Sequence, residues 1–262
     1  MIDVTVRIYG PLNDFLPPPR RQVPQRRVVD GPTSVKDLIE GLGVPHPEID
    51  LILANGTSVP FDYIVQARDR IAVFPRFVTL DVGTVTRVRP GLLETIRFVA
   101  DVHLGKLARR LRLAGLDTAY RADADDEALA ETAHRERRIL LTRDQALLKR
   151  RAIEHGYCIR ETYPQRQFVE VLRRFGPLDL RPFSRCLRCN DVLQEVPKST
   201  VDAALLPGTR QHYDSFAMCS GCGRVYWKGS HWTRLKQAVD AAREEAERGR
   251  AAPRSPAGGA TT

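Results

Sequence analysis

The chain has 262 residues, 42% of them hydrophobic, too long for one average domain and too short for three large ones, so two or three small domains are expected. Its 41 Lys and Arg against 32 Asp and Glu leave a net charge of +9, which favours a polyanionic partner, nucleic acid before anionic membrane. No apolar stretch nears the roughly 20 residues of a bilayer span, and the opening "MIDVTVRIYG" alternates like a strand rather than a signal peptide, so a soluble, cytoplasmic protein with no membrane role is expected.

From Val4 to Ile8 the apolar residues alternate, and the Pro- and Arg-rich "LPPPRRQVPQRR" separates this strand from "VVDG", as in a hairpin with a long loop. "TSVKDLIEGLG" then offers Thr33 or Ser34 as N-cap, Val35, Leu38, Ile39 and Leu42 on one face, and Gly43 as the stop. An Asn55-Gly56 turn sits inside "LILANGTSVP", and "RDRIAVFP" is a further strand. The order β-β-α-β-β resembles the ubiquitin-like β-grasp fold of the small sulfur carriers over about the first 75 residues. Those carriers end in a free Gly-Gly, whereas here Phe74 runs on into "PRFVTLDVG", so a docking or scaffolding module is expected instead of sulfur transfer.

From Phe98 strands alternate with helices, the rhythm of a parallel sheet. "FVA" is a short buried strand, followed by a helix with Leu104, Leu107, Leu111 and Ala114 on one face, Lys106, Arg109, Arg110 and Arg112 largely off it, and Gly115 as its end. "DTAY" is the next strand. A helix over "DDEALAETAHRERR", a strand at "ILLT", a helix over "QALLKRRAIEHG", a strand at "YCIRE" holding Cys158 as a buried thiol, and a helix over "PQRQFVEVLRRFG" complete the segment.

In an open parallel sheet the ligand site lies beyond the carboxyl ends of the strands. Asp101 and Asp144 fall there, and Asp126 joins them from the start of a helix. Each acid alone also reads as a helix cap. Three together call for a neutralising cation, and hard oxygen ligands suit Mg2+ or Mn2+. Adjacent residues on a helix point in different directions, so Asp125, Asp126 and Glu127 compete for one role, Asp126 first and Asp125 second. No Gly-rich loop ending in Lys-Ser or Lys-Thr is present, and "DVH" is not the D-x-D of haloacid-type phosphatases.

Four of the five cysteines form two C-x-x-C knuckles, Cys186 with Cys189 and Cys219 with Cys222, separated by 29 residues. Four thiolates close a tetrahedral zinc site with no open position, so this metal is structural. Arg185, Arg188, Arg224, Tyr226, Trp227 and Lys228 flank the knuckles. Their rings either stack on unpaired bases or pack the small domain. After Trp232 a helix of mixed charge leads into a Pro, Gly and Ala tail that is expected to be disordered.

"FVADVHLGKLARRLRLAGLDTAY", "DADDEALAETAHRERRILLTRD", the knuckles and "VYWKGSHW" together resemble the Mut7-C family of PIN-like ribonucleases, whose bacterial members also carry an N-terminal β-grasp module. The resemblance covers nearly the whole chain except the tail. It implies an α/β protein with a ubiquitin-like domain at 1–80, a PIN-like nuclease domain at 95–182, a zinc ribbon at 183–235, and a terminal helix and tail at 236–262. It further implies a metal-dependent RNase whose acids are Asp101, Asp126 and Asp144, with Asp125 as the alternative. Lys106, Arg109, Arg110, Arg143, Arg188, Trp227 and Lys228 are the expected RNA contacts, a structured RNA such as tRNA the expected substrate, and a protein partner is expected on the β-grasp module. The alternatives are a non-catalytic RNA-binding adaptor and a toxin-like nuclease controlled by a partner.

Overall fold

The computed structural model describes residues 1–77, 82–88, 93 and 95–251. They fall into two units, one formed by residues 1–99 and 124–158, the other by 100–123 and 159–262. The expected disordered tail, residues 252–262, lies outside the described residues.

The first unit begins with the hairpin β1 (Ile2–Ile8) and β2 (Gln25–Val29), paired antiparallel with Thr5 opposite Arg26. Helix α1 (Val35–Gly41) follows, capped by Ser34, whose hydroxyl accepts the Asp37 N–H at 3.1 Å. Ser34 rather than Thr33 is thus the cap, and Gly43 leaves the helix at φ +109, a conformation that glycine adopts without a Cβ clash. Then come β3 (Ile49–Ala54), β4 (Thr57–Ser58) and β5 (Arg70–Pro75). Asn55 and Gly56 join β3 to β4 with φ of 52° and 87°, the paired positive values of a type I′ turn. The sheet order is β2-β1-β5-β3-β4, with β1 and β5 parallel. Val4, Val6 and Ile8 from β1, Val35, Leu38 and Ile39 from α1, Ile52 from β3 and Ile71 and Val73 from β5 form its core, so the apolar alternation faces the helix as the sequence pattern requires. This is a ubiquitin-like β-grasp arrangement.

The same unit contains α3 (Asp126–Arg135), β8 (Ile139–Thr142), α4 (Gln145–Leu148) and β9 (Gly156–Cys158). Helix α4 is far shorter than the expected "QALLKRRAIEHG". The Lys149 and Arg150 N–H groups bond back to Ala146 O and Leu147 O, three-residue spans that tighten the chain into turns, and the Lys149 ammonium donates to Glu40 O at 2.9 Å. Polar bonds tie this segment to the β-grasp part. His46 meets Glu40 Oε1 through Nδ1 at 2.7 Å and Ile153 O through Nε2 at 2.8 Å, and the Cys158 N–H donates to the Glu48 carboxylate at 2.6 Å. Cys158 itself is buried.

The parallel-sheet segment starts at β6 (Phe98–Ala100), all three residues buried, and also contains β7 (Thr118–Tyr120). Within the first unit β8 and β9 pair in parallel, Leu140 beside Gly156 and Thr142 beside Cys158.

In the second unit, a 3-10 turn (Val102–Leu104) opens into α2 (Gly105–Leu113), which leads to β7. Leu104, Leu107, Leu111 and Ala114 are buried as their spacing predicts. Helix α5 (Pro164–Phe175) supplies Phe168, Val171 and Leu172. The ribbon consists of β10 (Leu193–Val196), β11 (Phe216–Cys219) and β12 (Val225–Trp227), antiparallel in that order. The helices α6 (Lys198–Val201) and α7 (Pro207–His212) occupy the long interval between the knuckles. The mixed-charge helix α8 (Trp232–Ala251) buries Val239, Ala242 and Ala246, and the Arg250 guanidinium donates to Leu172 O at 2.8 Å, so it packs on α5 instead of trailing into solvent.

Leu107 is fully buried on α2. Leu107→Ala is expected to lower unfolding stability by about 2–5 kcal/mol, measured by urea denaturation.

Candidate functional site

The two cysteine knuckles share one backbone design. The Asn190 N–H donates to Cys186 O at 3.0 Å and the Gly223 N–H to Cys219 O at 2.9 Å, while the Cys186 and Cys219 N–H groups donate to Asp191 O and Arg224 O. The residue after each second cysteine turns left-handed, Asn190 at φ 78 and Gly223 at φ 68, and Asn and Gly are the residues that tolerate it best. This folds the four thiols inward. Their Sγ atoms all lie within 4.8 Å of one another, with Cys186 to Cys222 at 3.6 Å and Cys189 to Cys219 at 3.3 Å. A tetrahedral zinc with bonds of about 2.3 Å needs sulfur separations of nearly this size, and an all-thiolate set is the donor chemistry zinc takes in structural sites.

The thiols are electrostatically unequal. Burial pushes Cys186 up, but the Tyr226 hydroxyl and the backbone N–H groups of Cys189 and Arg188 outweigh it and bring the thiol down to about 6. Burial, with hydrogen bonds to neighbouring sulfurs, pushes Cys189 up to about 12. Tyr226 rises to about 12 through its own burial and its bond to Cys186. The Tyr226 hydroxyl lies 3.2 Å from Cys186 Sγ and accepts the Leu187 N–H at 3.1 Å, so this ring packs the ribbon and is not presented for stacking.

The groups that dock the knuckle have little signature in the sequence. Helical spacing sets Arg112 off the apolar face of α2, yet it is 3% exposed. Its Nε donates to Thr118 O at 2.9 Å, and its Nη1 donates to Arg188 O at 2.7 Å and Leu187 O at 3.3 Å. Burial pulls the guanidinium down from its ordinary value, opposed by the charges of Cys186, Cys189 and Asp117. Asn190 uses both ends of its amide, accepting the Thr118 N–H at 2.9 Å and donating to Asp117 at 2.8 Å. Arg185, expected among the cations flanking the knuckles, donates to Gly115 O and Asn190 O and pairs with Asp117 at 3.4 Å. The one local signal is the Asn that follows "CLRC"; nothing in "RRLRL" distinguishes Arg112 from its neighbours.

Each predicted acid has a defined local role. Asp101, in the second unit and 5% exposed, caps the 3-10 turn before α2 by accepting the His103 N–H at 3.1 Å. In the first unit, Asp144 caps α4 by accepting the Ala146 and Leu147 N–H groups at 2.7 and 3.3 Å. Asp125 caps α3 through the Ala128 N–H at 2.8 Å, and Asp126, one residue on, faces the Arg150 guanidinium at 3.5 Å. The capping role of Asp125 leaves Asp126 as the acid of this pair that is not committed to the helix end. Among the described residues the four cysteines are the group of metal-capable side chains gathered within 4.8 Å; the acids form no second one.

Lys106, Arg109 and Arg110 stand at i, i+3 and i+4 on α2 and so share one face, with Lys106 and Arg109 exposed. Arg143, Arg188 and Lys228 are exposed, and Trp227 is 41% exposed at the ribbon edge. The Lys228 ammonium lies 5.5 Å from the Trp232 ring centroid.

Residues 96–239 match the family described as the Mut7-C RNAse domain, and residues 1–81 match the Mut7-C ubiquitin family. The chain belongs to the Mut7-C family. A human relative named "Exonuclease mut-7 homolog" is 27% identical over 241 residues, a match covering 62% of this chain and 28% of that relative, so the Mut7-C chain spans little more than a quarter of it. Two crystal structures of small archaeal modifier protein 1 from Haloferax volcanii are similar at 22% and 20% identity, over 29% and 30% of this chain and 100% and 99% of theirs, each at a TM-score of 0.24. The Mut7-C chain thus carries a nuclease-family domain behind a ubiquitin-like module. None of its described helices is long and apolar enough to cross a membrane.

Cys186→Ser is expected to fall short of one zinc per chain by elemental analysis. Arg112→Met, which leaves all four thiols in place, is expected to weaken zinc affinity roughly 10–100-fold, as loss of an outer support does, read by competition with a chromogenic chelator.

Proposed function

We propose that this Mut7-C protein is a PIN-like, Mg2+- or Mn2+-dependent ribonuclease that hydrolyses RNA phosphodiester bonds, with Asp101, Asp126 and Asp144 as its metal-holding carboxylates. The observation that carries the reading is the RNase-family match over residues 96–239, which encloses all three acids. Their positions along the chain support it: Asp101 directly follows β6, Asp144 follows β8, and Asp126 opens α3. Oxygen donors of this kind fit a hard divalent cation, and such a cation would supply the activated water and the Lewis acid that phosphodiester hydrolysis needs. The backbone N–H groups that bond Asp101 and Asp144 fix the carboxylates in orientation. The cationic face of α2 binds phosphates of the substrate, and Arg143, Arg188, Trp227 and Lys228 extend the grip on RNA. Zinc in the four-thiolate site is structural.

A structured RNA such as a tRNA, trimmed at its 3′ end, is the proposed substrate, in keeping with the relative named an exonuclease. The ubiquitin-like module recruits a protein partner or orients the substrate. Thiolate ligands favour a reducing compartment, the cytoplasm.

A second reading has an observation in its favour. Asp101, Asp125 and Asp144 each cap a helix or turn, a role that suffices for a non-catalytic RNA-binding adaptor.

The readings part in a cleavage assay on total RNA and on a tRNA precursor with EDTA, Mg2+ or Mn2+. Wild type is expected to give discrete, metal-dependent products. Asp101→Asn and Asp144→Asn are expected to lose at least 100-fold in rate while still binding RNA. Binding without product under any metal would favour the adaptor.

A further inference from the structure

The β-grasp sheet has one face against α1 and one turned away from it. Strand alternation and register determine what the second face carries. Thr5 of β1 lies beside Arg26 of β2 and Arg70 of β5, and two residues along β1 Arg7 lies beside Ala72. Since neighbouring strands are about 4.8 Å apart, Arg26 and Arg70 flank Thr5 at roughly 10 Å from each other, and all three arginines are exposed. The acid on the same rows of β1 and β2 is Asp3, which is committed to Arg26 at 2.7 Å. The cationic rows continue into an aromatic strip: the Arg7 guanidinium lies 5.0 Å from the Tyr9 ring centroid, Tyr9 stacks on Phe74 at 4.5 Å and 12°, and Phe77 follows at 5.9 Å. No core requirement explains this pattern, because the apolar side of the same strands already fills the core.

We infer that this face of the ubiquitin-like module binds a single-stranded segment of RNA, with Arg7 and Arg70 meeting phosphates and the Arg7–Tyr9–Phe74 stack receiving an unpaired base. Cations beside aromatic rings are the means by which sheets hold unpaired strands without strong sequence preference, and Tyr9, Phe74 and Phe77 are each half-buried, leaving part of the strip open to solvent. An acidic protein or an anionic membrane would also use the charges; the planar Arg7–Tyr9–Phe74 stack is what favours an unpaired base over them. The choice of RNA as the polymer rests on the ribonuclease reading above; the face itself does not.

The test is fluorescence anisotropy of a labelled 20-nucleotide oligouridine with the full chain in EDTA, from 50 to 300 mM salt, so that cleavage plays no part. Arg7→Ala with Arg70→Ala is expected to bind about tenfold more weakly, with the slope of log affinity against log salt reduced by about 1.4, some 0.7 for each phosphate no longer neutralised. Arg7→Lys with Arg70→Lys is expected to keep the slope. An unchanged melting temperature in the double alanine variant shows that it is folded. If nothing is ever cleaved but these binding changes occur, the nuclease reading fails and the face stands. Wild-type affinity and slope in the double alanine variant would overturn the inference. So would unchanged RNA binding with lost binding to phosphatidylserine vesicles or polyglutamate, which would assign the face to a membrane or an acidic protein.

Discussion

A guanidinium with three carbonyl partners and almost no water holds the second unit in register. Arg112 leaves α2 on its buried side and bonds to Thr118 O, Arg188 O and Leu187 O, and a buried cation can persist there only while those oxygens and the nearby thiolates remain in place. Two of the carbonyls belong to the first knuckle, and the knuckle takes its shape from the four thiols. Metal occupancy is thereby linked to the helix that carries Lys106, Arg109 and Arg110 and that begins just after Asp101. The four-cysteine site and the placement of the helix are thus joined through one guanidinium.

Much of this was legible in the sequence because it depends on local rules. Leu104, Leu107, Leu111 and Ala114 are buried at the spacing that marks them, Ser34 caps α1, Asn55-Gly56 makes its turn, and the C-x-x-C pairs converge. What was not legible depends on bonds between residues far apart in the chain. Arg112 reads like any other cation of "KLARRLRL"; its knuckle acceptors lie 75 and 76 residues away. Helix α4 stops early, and the Lys149 side chain at its end bonds to Glu40 O, 109 residues back. Tyr226 left two roles open, and the geometry of Cys186 decides between them.

The acids show how one residue type can satisfy two demands. A capping aspartate must have a carboxylate held still near backbone N–H groups, and a metal-holding aspartate must have the same. Asp101 and Asp144 meet the first demand through their bonds to His103, Ala146 and Leu147, and that rigidity is what a metal ligand needs from its support. Capping and catalysis are therefore compatible readings of the same geometry, and activity alone separates them.

The bonds between residues 46–48 and 153–158 bear on where this protein can be divided. The family matches break between residues 81 and 96, which suggests two pieces that could be expressed apart. Yet His46 reaches Ile153 O and Glu48 receives the Cys158 N–H, so a cut in that interval would strip an imidazole and a carboxylate, both nearly inaccessible to solvent, of partners they hold in the intact chain. Such orphaned polar groups cost about 1–3 kcal/mol each, a large share of what a module of this size has in reserve. The break between the family matches is therefore not a line at which the polar bonds of this fold also end.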